Sequence, residues 1–215
     1  MKDDIAKYYA DRAAEYDLIY QKPERQADLR KMEKMVGDKF KGLDVLEIAC
    51  GTGYWTQFIS KRARSILAID NNVEMMNIAV NRGYGKCKVL FKEADAYSLQ
   101  GVSGNFNAGF CGFWYSHVPI TRIAGFLKLF HSHLLSGSKV IMIDNLFVPG
   151  SSTPISRQDG DGNTYQKRKL DNGTEYEIMK NFPGLKNLED DLSDFTAKPE
   201  ITFLDYYWAA SYLVK

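Results

Sequence analysis

From Gly42 onward the apolar and polar positions fall into two alternating rhythms. Short runs at 43–49, 65–70, 86–92, 106–113 and 138–146 read as strands, and the β-branched and Leu-rich run at 43–49 has the composition of one buried on both faces. Between them, segments at 53–63, 73–82 and 119–135 carry apolar residues at three- and four-residue steps, with a short turn or helix near 96–99, and these predict helices. Strands alternating with helices imply parallel crossovers, so the stretch predicts an α/β, doubly wound sheet. Ligands on such sheets lie beyond the carboxyl ends of the strands, near the switch in strand order. That rule places Glu47 to Gly53, Asp70, Asp95 and Gly112 to His117 along one edge.

The flanks have other patterns. Ile5, Tyr8, Tyr9, Ala13, Tyr16 and Tyr20 within residues 3–20 suit an amphipathic helix with an aromatic face, and Pro23-Glu24 starts a second helix that should run from Glu24 to Val36 and end at Gly37. After Pro149 the composition shifts to Gly, Ser, Asp and Asn, which marks 150–163 as a mobile loop. Asn163 to Leu170 and Thr174 to Lys180, joined by Asp171-Asn172-Gly173, predict a hairpin. Asn187 to Phe195 predicts a helix, and Ile201 to Val214 one long aromatic strand. At 215 residues the chain is expected to form a single domain. Residues 1–41 would be an N-terminal helical cap, 42–146 the core, and 147–215 the loop, hairpin and C-terminal strand that complete the sheet.

The most informative stretch is Glu47-Ile48-Ala49-Cys50-Gly51-Thr52-Gly53, a buried strand entering a tight turn before a helix. Gly51 and Gly53 remove side chains that would hold a ligand away from the backbone, and the amides opening the next helix suit an anionic group. Glu47 favours a cationic nucleotide, since a carboxylate would repel a pyrophosphate at this place. A dinucleotide fingerprint would also require a third glycine where Thr56 stands.

This stretch resembles the first motif of the class I S-adenosylmethionine-dependent methyltransferases, and the resemblance covers about residues 43 to 146. It implies a seven-stranded, mostly parallel sheet of order 3-2-1-4-5-7-6, with the C-terminal strand antiparallel. It implies S-adenosyl-L-methionine as cofactor and S-adenosyl-L-homocysteine as product. The resemblance also makes the segment with Tyr8-Tyr9 and Tyr16-Asp17 a lid over the site; the residues alone allow a packing element equally. It places Asp95 on the adenine amine, with Ala96 giving a backbone amide to the ring; the residues alone also allow Asp95 as a solvated turn acid. Phe106-Asn107 departs from the Phe-Asp common in relatives, which weakens any claim on an acid there.

Asp70 lies about 20 residues past the turn, the separation at which an acid accepts both ribose hydroxyls in related nucleotide sites. Capping of the helix near Val73 is the alternative, although Asn71 or Asn72 can serve there. Met75 is a candidate for the adenine face. The cofactor set is therefore Tyr16, Glu47, Ala49, Gly51, Gly53, Asp70, Asn71, Met75, Asp95, Ala96 and Phe113. Near the sulfonium, Tyr8, Tyr16, Trp55, Phe113 and Trp114 are all candidate aromatic neighbours, and each can equally be packing.

Methyl transfer is an in-line displacement, so alignment matters most, and a base is needed only if the acceptor must lose a proton. His117 follows the strand whose tip faces the methyl group and is the base candidate among three histidines; the alternative is a cap for the helix after Pro119. A base of this kind titrates near 6.5 when unperturbed. Tyr115, Tyr16 and Tyr20 are candidates for binding or polarising the acceptor. The Asn/Asp-Pro-Pro-Tyr motif of amide methylation is absent, and nothing acidic at Phe113 to Tyr115 complements Asp144-Asn145, so no metal is expected.

Composition narrows the partners. Lys+Arg 28 against Asp+Glu 27 leaves a net charge of +1 without a basic block, which disfavours nucleic acid and anionic membranes. The start of the chain has no apolar signal core, and no run approaches a membrane span. Cys50, Cys87 and Cys111 are not ligand-spaced and suit reduced thiols, so a cytoplasmic protein is expected. The expected activity is methylation of an oxygen or nitrogen of a small-molecule acceptor. The rivals are a protein or peptide methyltransferase and a non-catalytic cofactor-binding protein acting through a partner.

Overall fold

A computed structural model describes residues 2–215, with side chains from Ile5 onward. Its centre is a seven-stranded sheet built from β1 (Asp44–Ile48), β2 (Ser65–Asp70), β3 (Lys88–Glu93), β4 (Phe106–Gly112), β5 (Leu134–Asn145), β9 (Glu200–Phe203) and β10 (Tyr207–Leu213). The strands lie in the order β3-β2-β1-β4-β5-β10-β9. β10 runs antiparallel to β5 and β9, and the other strands are mutually parallel. The order and the single antiparallel strand are those implied by the resemblance.

Side-chain alternation along each strand divides the core between the two faces of the sheet. Val45 faces α2 (Gln26–Lys39) and α3 (Tyr54–Ile59), packing with Leu29, Met32, Val36, Trp55 and Ile59. Leu46 and Ile48 face the opposite way, toward Phe126, Leu127 and Phe130 of α5 (Ile123–Ser132) and Leu188 and Leu192 of α6 (Leu185–Leu192). Burying each such side chain stabilises the fold by about 1.5–3 kcal/mol. α4 (Val73–Ala79) follows β2, capped by Asn72, whose Oδ1 accepts from the Met75 amide at 3.0 Å.

The cap is α1 (Lys2–Arg12) followed by a 3-10 stretch over Ala13–Gln21 and a further 3-10 turn, Pro23–Arg25. It differs from the continuous helix expected over 3–20. α2 also runs through Gly37 instead of ending there. Gly37 is buried in the helix, where an added Cβ would meet the Phe58 carbonyl oxygen at 3.3 Å, so the glycine serves close packing of α2 on α3 and not termination.

The C-terminal third holds the other differences. Residues 200–213 form two strands because Leu204 turns back to pair its amide with the Tyr207 carbonyl, leaving β9 at the sheet edge and β10 between it and β5. The expected single strand is thus the last two strands of the sheet. The segment expected as a mobile loop contributes β6 (Arg157–Gln158) and a turn that Asp159 organises by accepting from the Asp161 and Asn163 amides. β6 joins the hairpin β7 (Thr164–Lys169) and β8 (Glu175–Met179) in a separate three-stranded sheet. Gly173, at φ +87°, closes that hairpin as its Asn-Gly sequence predicts. Tyr8 of α1 packs on Leu170 and Ile178, joining cap to hairpin above the carboxyl edge of the main sheet.

Candidate active site

At that edge a cavity of about 490 Å³ lies between the sheet, the cap and the hairpin, within the range of small-ligand sites. Ala49, Gly51, Asp70, Asn71, Met75, Asp95, Ala96, Phe113, Tyr16 and His117 all line it. Two bends open it: Ala49 at φ +54° and Phe113 at φ +57° take the left-handed conformation immediately beyond β1 and β4, an arrangement that costs a non-glycine residue free energy and clusters at functional sites. Gly51, at φ +55°, presents bare backbone, and a Cβ there would meet Met75 Cε at 3.3 Å.

Asp70 ties the turn together. One carboxylate oxygen accepts from the Gly51 amide at 2.8 Å and the other from the Asn72 amide at 2.9 Å. Burial pushes its pKa up to about 6, against the lowering by those amides. Asp95 accepts from the Tyr97 amide at 2.9 Å. Glu47 sits differently: it is 1% exposed, lies off the cavity wall, and burial pushes it up to about 8. The acids facing the ligand space are therefore Asp70 and Asp95, with Asp159, Asp161 and Glu177 on the hairpin side.

Gly53, also off the wall, has a purely internal reason to be glycine. It stands at φ +74°, and a Cβ would lie 2.4 Å from the Tyr84 hydroxyl and 3.0 Å from Ala79 Cβ. Gly53→Ala should destabilise the fold by about 1–2 kcal/mol from the left-handed backbone alone, with further loss as Tyr84 gives up its 2.6 Å bond to the Ala79 carbonyl. Denaturant unfolding reads this directly, and an unchanged midpoint would show that the turn re-forms without glycine.

The cap is fastened to the turn at both ends. Asn72 Nδ2 donates to the Ala6 carbonyl at 2.9 Å, and the Thr52 hydroxyl donates to Asp17 at 2.6 Å while Arg82 pairs with the same carboxylate. Tyr16, beside Asp17, faces the cavity, as do Phe113 and Trp114, whereas Tyr8 and Trp55 are packing residues away from it.

His117, 6% exposed, is held on both ring nitrogens. Nδ1 lies 2.7 Å from the Met179 carbonyl, which only accepts, so Nδ1 carries the proton; Nε2 accepts the Tyr9 hydroxyl at 2.8 Å. Burial, with the Lys180 charge adding to it, pushes the pKa down to about 3. The imidazole is neutral at every ordinary pH, and the titration near 6.5 expected of a free histidine does not apply. The rate of a reaction at this cavity should accordingly show no fall attributable to His117 between pH 8 and 5.5. A fall centred near 6.5 that disappears in His117→Gln would reveal that Tyr9 releases the ring during turnover.

Tyr115 points away from both cavities, 1% exposed, donating to Asp191 and packing edge-on against Trp208 at 5.5 Å. A three-residue 3-10 turn over Tyr115–His117 sends the two rings to opposite sides. Asp144 is likewise engaged, accepting from Lys180 Nζ at 2.9 Å and from the Ser116 amide at 2.9 Å. Among the described residues no group of three His, Cys, Asp or Glu side chains is disposed to hold a metal, and no helix is long and apolar enough to cross a membrane.

A second, smaller cavity of about 90 Å³ adjoins the first. Tyr9, Tyr16, Phe113 and His117 belong to both walls. Tyr20, stacked on Tyr54 at 3.5 Å, lies on the second. Its cations, contributed by the cap and the hairpin, carry no motif that the sequence could have shown.

Residues 45–137 match the model of a family described as a methyltransferase domain. No curated protein matches the chain in sequence. Among solved structures it is similar to DhpI in complex with SAH, at 25% identity over 97% of this chain and 94% of that one, with a TM-score of 0.77. DhpI with SAM and HEP gives 24% identity, 98% and 96% coverage and a TM-score of 0.79. The magnesium protoporphyrin IX methyltransferase ChlM of Synechocystis PCC 6803, with bound SAH, shares the fold at 15% identity, full coverage of both chains and a TM-score of 0.65. The matched domain runs from β1 into β5, across the switch in strand order where the acid-lined cavity opens, and in that domain and in its fold the chain is similar to the class I S-adenosylmethionine-dependent methyltransferases.

Proposed function

We propose that the protein methylates an oxygen or nitrogen of a small-molecule acceptor. The observation that carries this is the pair of adjoining cavities, one of about 490 Å³ and one of about 90 Å³, which among the described residues share Tyr9, Tyr16, Phe113 and His117. In this reading Asp70 accepts the ribose hydroxyls, with Asn71 beside it, and Asp95 and the Ala96 amide take the adenine edge across from Met75. When bound, S-adenosylmethionine supplies an activated methyl group on a sulfonium. Phe113 and Tyr16 offer ring faces to that cation, and the cap keeps water out while the acceptor is aligned. The smaller cavity lies beneath the cap, the 151–153 loop and the hairpin, and among the described residues no acid is on its wall. A peptide acceptor would favour an open acidic groove instead. The three unpaired cysteines suit a reducing compartment such as the cytoplasm.

The test is incubation with methyl-labelled S-adenosylmethionine and a fractionated metabolite extract. Label in a low-molecular-mass product is expected. Label confined to protein, or cofactor binding with no transfer to any fraction, would decide for one of the rivals.

A further inference from the structure

The small cavity has a charge pattern that the general reading does not use. Arg12, Lys22, Arg25 and Arg168 converge on it from the end of α1, the turn before α2 and strand β7, and among the described residues no aspartate or glutamate is on its wall. None of the four makes a salt bridge among the described residues; the fifth cation, Lys180, is paired with Asp144. Their contacts are with neutral groups. Arg25, 5% exposed, donates to Ser151 Oγ at 2.9 Å and Asn145 Oδ1 at 3.1 Å, Lys22 to the Ser151 carbonyl at 2.6 Å, and Arg12 to the Tyr8 hydroxyl at 2.7 Å. Arg168 donates to Gln166, and its Nε is buried with no partner at all. Glu24, exposed beyond Ser151 and off the cavity wall, is the acid that acts on Lys22 and Arg25; cations that outnumber the acids beside them repel one another, and an anion placed among them adds an attraction to each. Lys22 carries the mark of this crowding: burial, then the Arg25 charge, push its pKa down. Guanidinium groups also match the planar or tetrahedral array of oxyanion oxygens in two-point contacts.

Resting on the proposed function, we infer that the acceptor is a small acid of about two negative charges, held by Arg12, Lys22, Arg25 and Arg168, and that one of its own oxyanion oxygens takes the methyl group. The cofactor cavity contains none of these four residues, so they are placed for a second ligand and not for the cofactor's carboxylate. A lone pair of the acceptor oxygen forms the new carbon–oxygen bond, the carbon–sulfur bonding pair stays on sulfur, and the products are a methyl ester and the neutral thioether. No proton moves, so no base is required. That agrees with the state of His117, whose Nε2 is occupied by Tyr9 and whose Nδ1 proton is spent on Met179. His117 and Tyr9 are then positioning residues at the boundary of the two cavities.

The test is calorimetric titration of inorganic phosphate, methylphosphonate and malonate into the protein, with and without saturating S-adenosylhomocysteine. At least one acid should bind the loaded protein at a single site, and Arg168→Gln and Lys22→Gln should each weaken it tenfold or more, leaving cofactor affinity unchanged. Lys22 is part-exposed, and melting temperatures measured on both variants separate a lost acid contact from a merely unfolded protein. Loaded protein that binds none of the acids, or binds them equally in both variants, overturns the inference. So does a loss of cofactor affinity in Arg168→Gln, because the cations would then serve the cofactor's carboxylate. If the protein binds no cofactor, the proposed function falls, while the acid site is still judged by the titration without it. Transfer of labelled methyl then identifies the oxyanion. A carboxylate ester releases methanol in mild alkali, whereas a phosphate or phosphonate monoester retains it. Label on a neutral alcohol or an amine instead would also overturn the inference.

Discussion

Lys180→Met should melt roughly 6–20 °C below the wild type. Lys180 is 5% exposed and Asp144 is fully buried, so removing the ammonium leaves a carboxylate in the core with no counter-charge. Breaking a buried pair from one side costs about 3–5 kcal/mol, and a protein of this size loses about 2–4 °C per kcal/mol. Burial alone would raise the Asp144 carboxyl, but the Lys180 charge and the Ser116 amide hold it below its ordinary value. The sign of the pH dependence follows. In the wild type this group contributes stability above the ordinary carboxylate pKa and loses it as pH falls through the lower folded value. In the variant the buried carboxyl takes up a proton more readily than the unfolded one, so the deficit should shrink toward pH 4. The double variant Lys180→Met with Asp144→Leu should recover part of the loss, since an apolar pair of similar volume removes the unpaired charge. Melting of Lys180→Met within 2 °C of the wild type at neutral pH would show that the ion pair does not hold the hairpin to β5.

The parts legible in the sequence were those set by local composition. Strands β1 to β4 begin and end within two residues of their apolar runs, because β1, β2 and β4 lie inside the sheet and need apolar residues, and the half-exposed edge strand β3 still keeps Val89, Leu90 and Phe91 at its centre. Asp70 was legible because its distance from the glycine turn is fixed by one strand–helix–strand unit. Features governed by tertiary contact were not. Gly37 looks like a terminator and is a packing notch against Phe58. Ile201 to Val214 looks like one strand because the turn at Leu204–Tyr206 contains neither glycine nor proline. Tyr115 and His117 are separated by which way a 3-10 turn points each ring. The cationic cavity is the extreme case, since Arg12, Lys22, Arg25 and Arg168 approach only when the hairpin closes over the cap. In a chain with net charge of +1 nothing in the overall balance signals such a local excess.

The division of charge between the cavities makes the cofactor side the more exposed to a single substitution. Asp70→Ala should weaken S-adenosylhomocysteine binding by at least tenfold. Each ribose hydroxyl donating to a carboxylate contributes about 1.5–3 kcal/mol, and the same side chain holds the Gly51 amide at 2.8 Å, so the turn loosens as the acceptors vanish. Asp70→Asn separates the two effects, keeping the shape of the side chain while removing its charge. The pH dependence supplies a second signature. Asp70 titrates at about 6, raised by burial above its ordinary value, and hydroxyl donors favour the ionised form. Binding should therefore release a proton near pH 6, and wild-type affinity should decline as pH falls through that value. Glu47 titrates higher, at about 8, and lies off the cavity wall, so its contribution falls in a different window. In Asp70→Asn the decline near pH 6 should disappear. Calorimetry between pH 5 and 7.5 on the wild type and both variants checks every arm, and wild-type affinity in Asp70→Ala would move the ribose elsewhere in the cavity.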